Sequence, residues 1–186
     1  MKIVTFTLRH VRSVMLLVVC MVACSFPLAA QGPNPYSANK QREAMQKLGF
    51  LIGRWSGSVA IFHGPGETLH LNQTEQVESK LDGLVLLVEG KSTNADGKVE
   101  FNALATIAYD DVSDTYRFRA YRGGQYLDTV LSVLPGGFSW SFDAGPAHIV
   151  NTMHLSARGE WNEVTNVTVG SQPTQRSMEM LLQHLQ

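Results

Sequence analysis

Beyond residue 24 the sequence contains no cysteine; its only two are Cys20 and Cys24. The rest of the chain therefore has no disulfide, no thiol nucleophile and no thiolate ligand for a metal. An excess of one charge is missing too: 15 Lys and Arg stand against 16 Asp and Glu, a net charge of -1. A general nucleic-acid binder needs a basic surface, and this composition does not supply one. Catalytic motifs are equally scarce. There is no G-x-S-x-G nucleophile elbow, no H-E-x-x-H, no P-loop and no dinucleotide fingerprint after a strand. "GPGE" at 64–67 is a turn, and no polar constellation suited to an enzyme assembles, so a non-catalytic role is expected. Hydrophobic residues at 44% and charged ones at 17% exclude a disordered chain, and 186 residues suffice for one domain with a sizeable core.

The first thirty residues differ from the rest. Lys2, Arg9 and Arg12 form a basic front, "VMLLVVCMVA" follows from Val14 to Ala23, and the small residues of "PLAAQ" come next. This is the three-part pattern of a secretory signal, and its apolar run is too short to remain as a membrane span. Two readings stand. Cleavage after Ala30 gives an exported protein, periplasmic or secreted. Lipidation at Cys24, where "MVAC" resembles a bacterial lipobox, anchors it to the outer membrane instead. Loss of residues 1–30 removes three bases and no acid, taking the net charge from -1 to -4. Residues 31–37, "QGPNPYS", read as a linker, and 38–186 as the folded domain.

A short helix is expected from Ala38 to Leu48, capped by Ser37 and ended by Gly49, with Ala44, Met45 and Leu48 as its apolar stripe. From Arg54 onward the helical period disappears. About ten strand-like runs follow: 54–63, 67–79, 83–92, 98–109, 114–122, 124–134, 137–143, 147–156, 159–169 and 174–184. Turn signals such as "NADGK", "RGG" and "LPGG" separate them. No helical pattern lies between strands, so the crossovers that parallel pairing requires are absent. The expected fold is all-β: an antiparallel up-and-down barrel of about ten strands after a short N-terminal helix, with a two-sheet sandwich as the competing architecture.

Side chains alternate across a strand, and this sorts the faces. Trp55, Gly57, Val59 and Ile61 share one face; so do Phe138, Trp140 and Phe142, and so do Met178, Met180, Leu182 and His184. Tyr116 and Phe118 compete with Arg117 and Arg119 for the interior. Inward arginines would pair with a ligand carboxylate; outward ones are ordinary surface. An eight-stranded barrel fills its core or holds one small ligand, whereas ten strands leave a real cavity. The candidate ligand-binding wall is Trp140, Phe118, Phe142 and Met180, and the expected partner is a small, mostly apolar molecule. A structural module with a filled barrel is the alternative.

"LGFLIGRWSG", "YDDVSDTYRFRAYRGG" and "GEWNEVTNVTVGSQPTQRSMEMLLQHL" occur in this order. Together they resemble a family of uncharacterised bacterial lipocalin-like proteins within the calycin superfamily, over about residues 45–186. Phe50, Leu51, Gly53, Trp55 and Gly57 meet that family's opening motif, and Asp110, Tyr116, Arg117 and Phe118 its central one. The resemblance implies a barrel of about ten strands around a cavity, with Trp55 packed at the closed end. More distantly, His184-Leu185 after the polar "SQPTQ" turn is similar to the ending of nitrobindins, which hold haem through a histidine near the C-terminus. That likeness implies His184 as a cofactor-binding residue and haem as a possible cofactor. "SGSVAIFHGPGE" departs from the nitrobindin opening.

The remaining polar groups read mostly as surface. His63 and His70 flank a turn with Glu67, a set that resembles metal ligands but is ordinary for a solvated hairpin, so no metal is expected. Glu75 with Glu78, and Asp110 with Asp111, are read as solvated carboxylates.

Overall fold

In a computed structural model, residues 36–64 and 66–186 are described; the signal segment, Cys24 and residues 31–35 of the linker lie outside the described residues. Ser37 starts the helix α1, Ala38–Gln46, by accepting a hydrogen bond from the Lys40 amide at 3.3 Å. The helix stops short of the expected Leu48 because the chain tightens into a 3₁₀ turn at Gly49–Leu51. That turn drives Leu48 and Leu51 into the core, where neither exposes any surface. Tyr116 Oη donates to the Ala44 carbonyl at 2.8 Å, and Asp111 accepts from Gln41 Nε2 at 2.7 Å. These bonds fasten α1 across one end of the strands as a plug.

Ten strands follow: β1 Gly53–Phe62, β2 Thr68–Lys80, β3 Val85–Thr93, β4 Val99–Asp110, β5 Thr115–Arg122, β6 Gln125–Leu134, β7 Gly137–Ala144, β8 Ala147–Leu155, β9 Trp161–Val169 and β10 Gln175–Leu185. Each pairs antiparallel with the next, and β1 pairs with β10, closing the barrel. This is the expected architecture, and the sandwich is excluded. The seam runs from Arg54 opposite Leu185 to Ile61 opposite Met178. Closure leaves no edge strand to aggregate. Among the described residues, no helix is long and apolar enough to cross a membrane.

The interior is filled unevenly. Along β10, β1 and β2, the large inward side chains Met180, Leu182, Val59, Leu71 and Val77 converge and pack solid. Across the barrel, β3, β4 and β5 present Gly90, Ala103, Ala105 and Ala120 instead, and the space they leave open is a cavity. The plugged end beneath it is sealed by Leu51 and by Trp55, whose ring meets Trp161 edge-on at 5.5 Å. Trp55 Nε1 donates to the Leu51 carbonyl at 2.8 Å, so the buried indole has its polar partner.

Gly57 shows what the seam demands. A Cβ at this position would overlap the Leu181 carbonyl oxygen and lie 3.0 Å from Leu182 Cα, both backbone atoms of β10. Only a residue without a side chain lets the two strands approach here. Gly57→Val should therefore lower the stability of the fold by about 1–3 kcal/mol or more. Chemical denaturation would measure the loss, and an unchanged midpoint would contradict this account of the seam.

Candidate functional site

The cavity has a volume of about 900 Å³, within the size range of small-molecule sites. One wall is aromatic: Phe118 stacks on Trp140 at 4.8 Å, and Trp140 on Phe142 at 5.8 Å. The three rings come from adjacent inward positions on β5 and β7, with β6 between them, and form a continuous ladder facing the void. Three of the four expected wall residues therefore stand together. Met180 faces inward as the alternation predicts, but it packs opposite Val59 in the solid half of the core, and the cavity walls do not include it. Its neighbours are too large to leave space beside it.

The open mouth is polar. Arg122 lies over the Phe101 ring, 4.5 Å from its centroid, with Gln125, Tyr126 and Asp143 also at the mouth. Arg117 and Arg119 point outward and share Asp128 as their partner, with Arg119 Nε 3.0 Å from Asp128 Oδ2. The interior belongs to Tyr116 and Phe118, so no inward arginine pair meets a ligand carboxylate.

The floor holds what the sequence reading missed. Glu75, read as solvated, is buried inside the barrel, 9% exposed, and is correctly placed by alternation with Leu71, Gln73 and Val77. Glu75 stands opposite Trp55 on β1 and Gly90 on β3. Gly90 leaves the room that the Glu75 carboxyl occupies: a Cβ there would come within 2.6 Å of Glu75 Oε1 and displace the carboxyl. Gln73 Nε2 donates to that oxygen at 2.6 Å, and Ser92 Oγ donates in turn to Gln73 Oε1. Glu163, on β9, faces the same cavity. It accepts from Trp161 Nε1 at 2.7 Å and from Asn151 Nδ2 at 2.9 Å. Asn151 Oδ1 is buried with no hydrogen-bond partner. Glu78, the other half of the pair expected at the surface, does stay on the outer face, bonded to Lys80 and Gln76.

Burial pushes Glu75 up to about 8, the neighbouring Glu163 charge adds to the rise, and the Gln73 bond opposes it. Burial raises Glu163 as well, against the bonds from Trp161 and Asn151. Both shifts favour the protonated form of the floor carboxyls over the charged one.

His184 lies elsewhere. Its ring meets Trp55 edge-on at 4.7 Å and rests over Gly53, with Nε2 3.4 Å from the Ile52 carbonyl. This places it exposed at the plugged end, behind Trp55, and the cavity walls do not include it. The arrangement does not fit a haem held in the cavity by His184. The physical reason is the plug: Leu51 and Trp55 occupy the space that an inward ring so near the strand end would need. His70 pairs with Ala60, and among the described residues no three His, Cys, Asp or Glu side chains are grouped to hold a metal.

The buried acids carry a pH signature of definite sign. Glu75, raised in the folded state, contributes stability that is fully present below the ordinary carboxyl range and lost as pH climbs towards about 8. Asp111, held low by the Gln41 side chain and the Ser37 amide, acts oppositely: its contribution is present above the ordinary range and lost as pH falls through its lowered value. Stability should thus peak at weakly acidic pH and decline between roughly pH 5 and 8, by up to about 1.4 kcal/mol per pH unit for each proton lost. Melting temperatures across that range would show the decline, and Glu75→Gln should flatten it. A wild-type curve that rises over the same interval would contradict the burial of Glu75.

No family model matches the chain, and no curated protein matches it. Among solved structures, the crystal structure of Rv2717c from M. tuberculosis is similar, with a TM-score of 0.59 at 14% identity, covering 77% of this chain and 98% of that one. At this identity the likeness concerns the fold alone.

Proposed function

We propose that this protein is an exported, non-catalytic member of the lipocalin-like calycins that carries a small, mostly apolar molecule in its barrel. The observation that carries this reading is the cavity of about 900 Å³ walled by the Phe118–Trp140–Phe142 ladder. Enclosing apolar ligand surface there supplies the driving force, roughly 25 cal/mol per Å² removed from water. The ladder offers flat faces to a planar body, and the carboxyl floor fixes which end enters first. A filled structural barrel would lack this space. Export follows from the N-terminal signal pattern, with soluble release or a lipid on Cys24 as its two forms.

A neutral apolar fluorophore tests the reading. N-phenyl-1-naphthylamine should brighten on mixing with the protein and bind with micromolar affinity, roughly -7 to -8 kcal/mol. Ala120→Trp places an indole in the void beside Phe118 and should weaken binding at least tenfold while the protein stays folded by circular dichroism. Undiminished binding in the folded variant would remove the cavity from the account. Mass spectrometry of the cell-derived protein should also show an N-terminus at Gln31 or a lipid-modified Cys24, whereas an intact Met1 would contradict export.

A further inference from the structure

Resting on the carrier reading, we propose that the cavity selects a molecule with a protonated amine at one end of its apolar body, the ammonium seated against Glu75 and Glu163 and the body lying along Phe118, Trp140 and Phe142. The floor has a surplus of acceptors. Its protein donors are already committed: Gln73 Nε2 to Glu75, and Trp161 Nε1 and Asn151 Nδ2 to Glu163. Asn151 Oδ1, on a side chain only 3% exposed, remains without a donor, although the same carboxamide is bonded to Glu163. A buried acceptor without a donor is costly, and so is a buried carboxylate without a counter-ion.

Among the described residues, no basic side chain pairs with Glu75 or Glu163. Glu75 is flanked by Trp55 from β1 and Gly90 from β3, with Leu51 below. Glu163 is flanked by Met153 from β8 and Met180 from β10. None of these titrates. His184 lies behind Trp55; Arg122, Tyr126 and Asp143 stand at the mouth, and Asp128 is held by the outward Arg117 and Arg119. In the empty protein, burial, with the neighbouring Glu163 adding to it, favours the protonated form of Glu75. An ammonium group brings three N–H donors and one positive charge to Glu75 and Glu163, the two carboxyls that line the cavity; Asn151 stands behind Glu163 and is not among the cavity walls. A neutral acceptor such as a ketone would take a bond from protonated Glu75 but would bring no positive charge to the carboxyl pair. An anion would meet two acids.

The two modes have opposite pH dependence. Seating an ammonium releases the Glu75 proton to solvent, so affinity rises with pH until that carboxyl is ionised. A neutral acceptor loses its donor over the same interval. The test is calorimetric titration of the full chain with three matched compounds: 2-(2-naphthyl)ethylamine, 2-(2-naphthyl)ethanol and 2-naphthylacetate. The amine should bind at least tenfold tighter than the alcohol at about pH 8.5 and tighter still than the acetate. Its affinity should rise from about pH 6 by up to tenfold per unit, with proton release visible as a dependence on buffer ionisation enthalpy. Glu75→Gln and, independently, Glu163→Gln should each reduce the amine-to-alcohol ratio. An amine no tighter than the alcohol, or an affinity flat or falling with pH, would overturn the proposal without any variant being needed. If N-phenyl-1-naphthylamine binds in that case, the carrier reading survives and only the amine preference is lost. If it too fails to bind, both fall together.

Discussion

The backbone ladder between Gly53–Phe62 and Gln175–Leu185 is the constraint on which everything else depends. These strands come from opposite ends of the described chain, and their pairing turns a ten-strand meander into a closed wall. Without it the meander would have two free edges and no inside. The seam needs close approach, which Gly57 permits, and it is buttressed from within by Leu182 and Met180 of β10 and Val59 of β1. The plug depends on the same closure. Leu48, Leu51 and Met45 have an apolar surface to cover only because the strands encircle one.

A closed wall does not by itself make a cavity; side-chain size decides that. The half of the barrel around the seam carries large aliphatic and sulfur-bearing side chains and is solid. The half formed by β3 to β5 carries glycine and alanine at successive inward positions and is hollow. Aromatic rings from β5 and β7 then line the void without filling it, because stacking holds them flat against one wall. Beneath them, two carboxyls occupy positions where an apolar barrel would place leucine or valine. Burying them costs stability and is tolerated only because Gln73, Trp161 and Asn151 each donate a bond to them. That cost is intelligible when the floor is there to meet a ligand.

Much of this was legible in the residues. Period-two alternation and regularly spaced turn signals place all ten strands within about two residues of their observed bounds, and the same alternation sends Trp55, Phe118, Trp140 and Phe142 inward. Inward direction alone cannot say which inward residues border empty space. Met180 obeys the alternation and still packs solid, since that depends on what β1 and β2 bring to meet it. His184 shares the alternation of Leu182 and Met180, but at the plugged end that face meets Trp55 and the turn before it, and the ring lies exposed there. Glu75 was hidden by its company: Glu78 and Gln76 make the strand look polar throughout. The signal was nonetheless present, for Leu71 and Val77 share its face, and Trp161 likewise marks the face of Glu163. A carboxylate in phase with buried apolar residues is an interior carboxylate until shown otherwise.

The central claim is that the space enclosed by the barrel is occupied in the cell. Native mass spectrometry of the protein purified from its own host tests this directly, without choosing a ligand in advance. The account predicts a population heavier than the processed chain by the mass of one small organic molecule, lost on denaturation. A spectrum containing only the processed chain with its covalent modifications, under conditions that preserve non-covalent complexes, would contradict it.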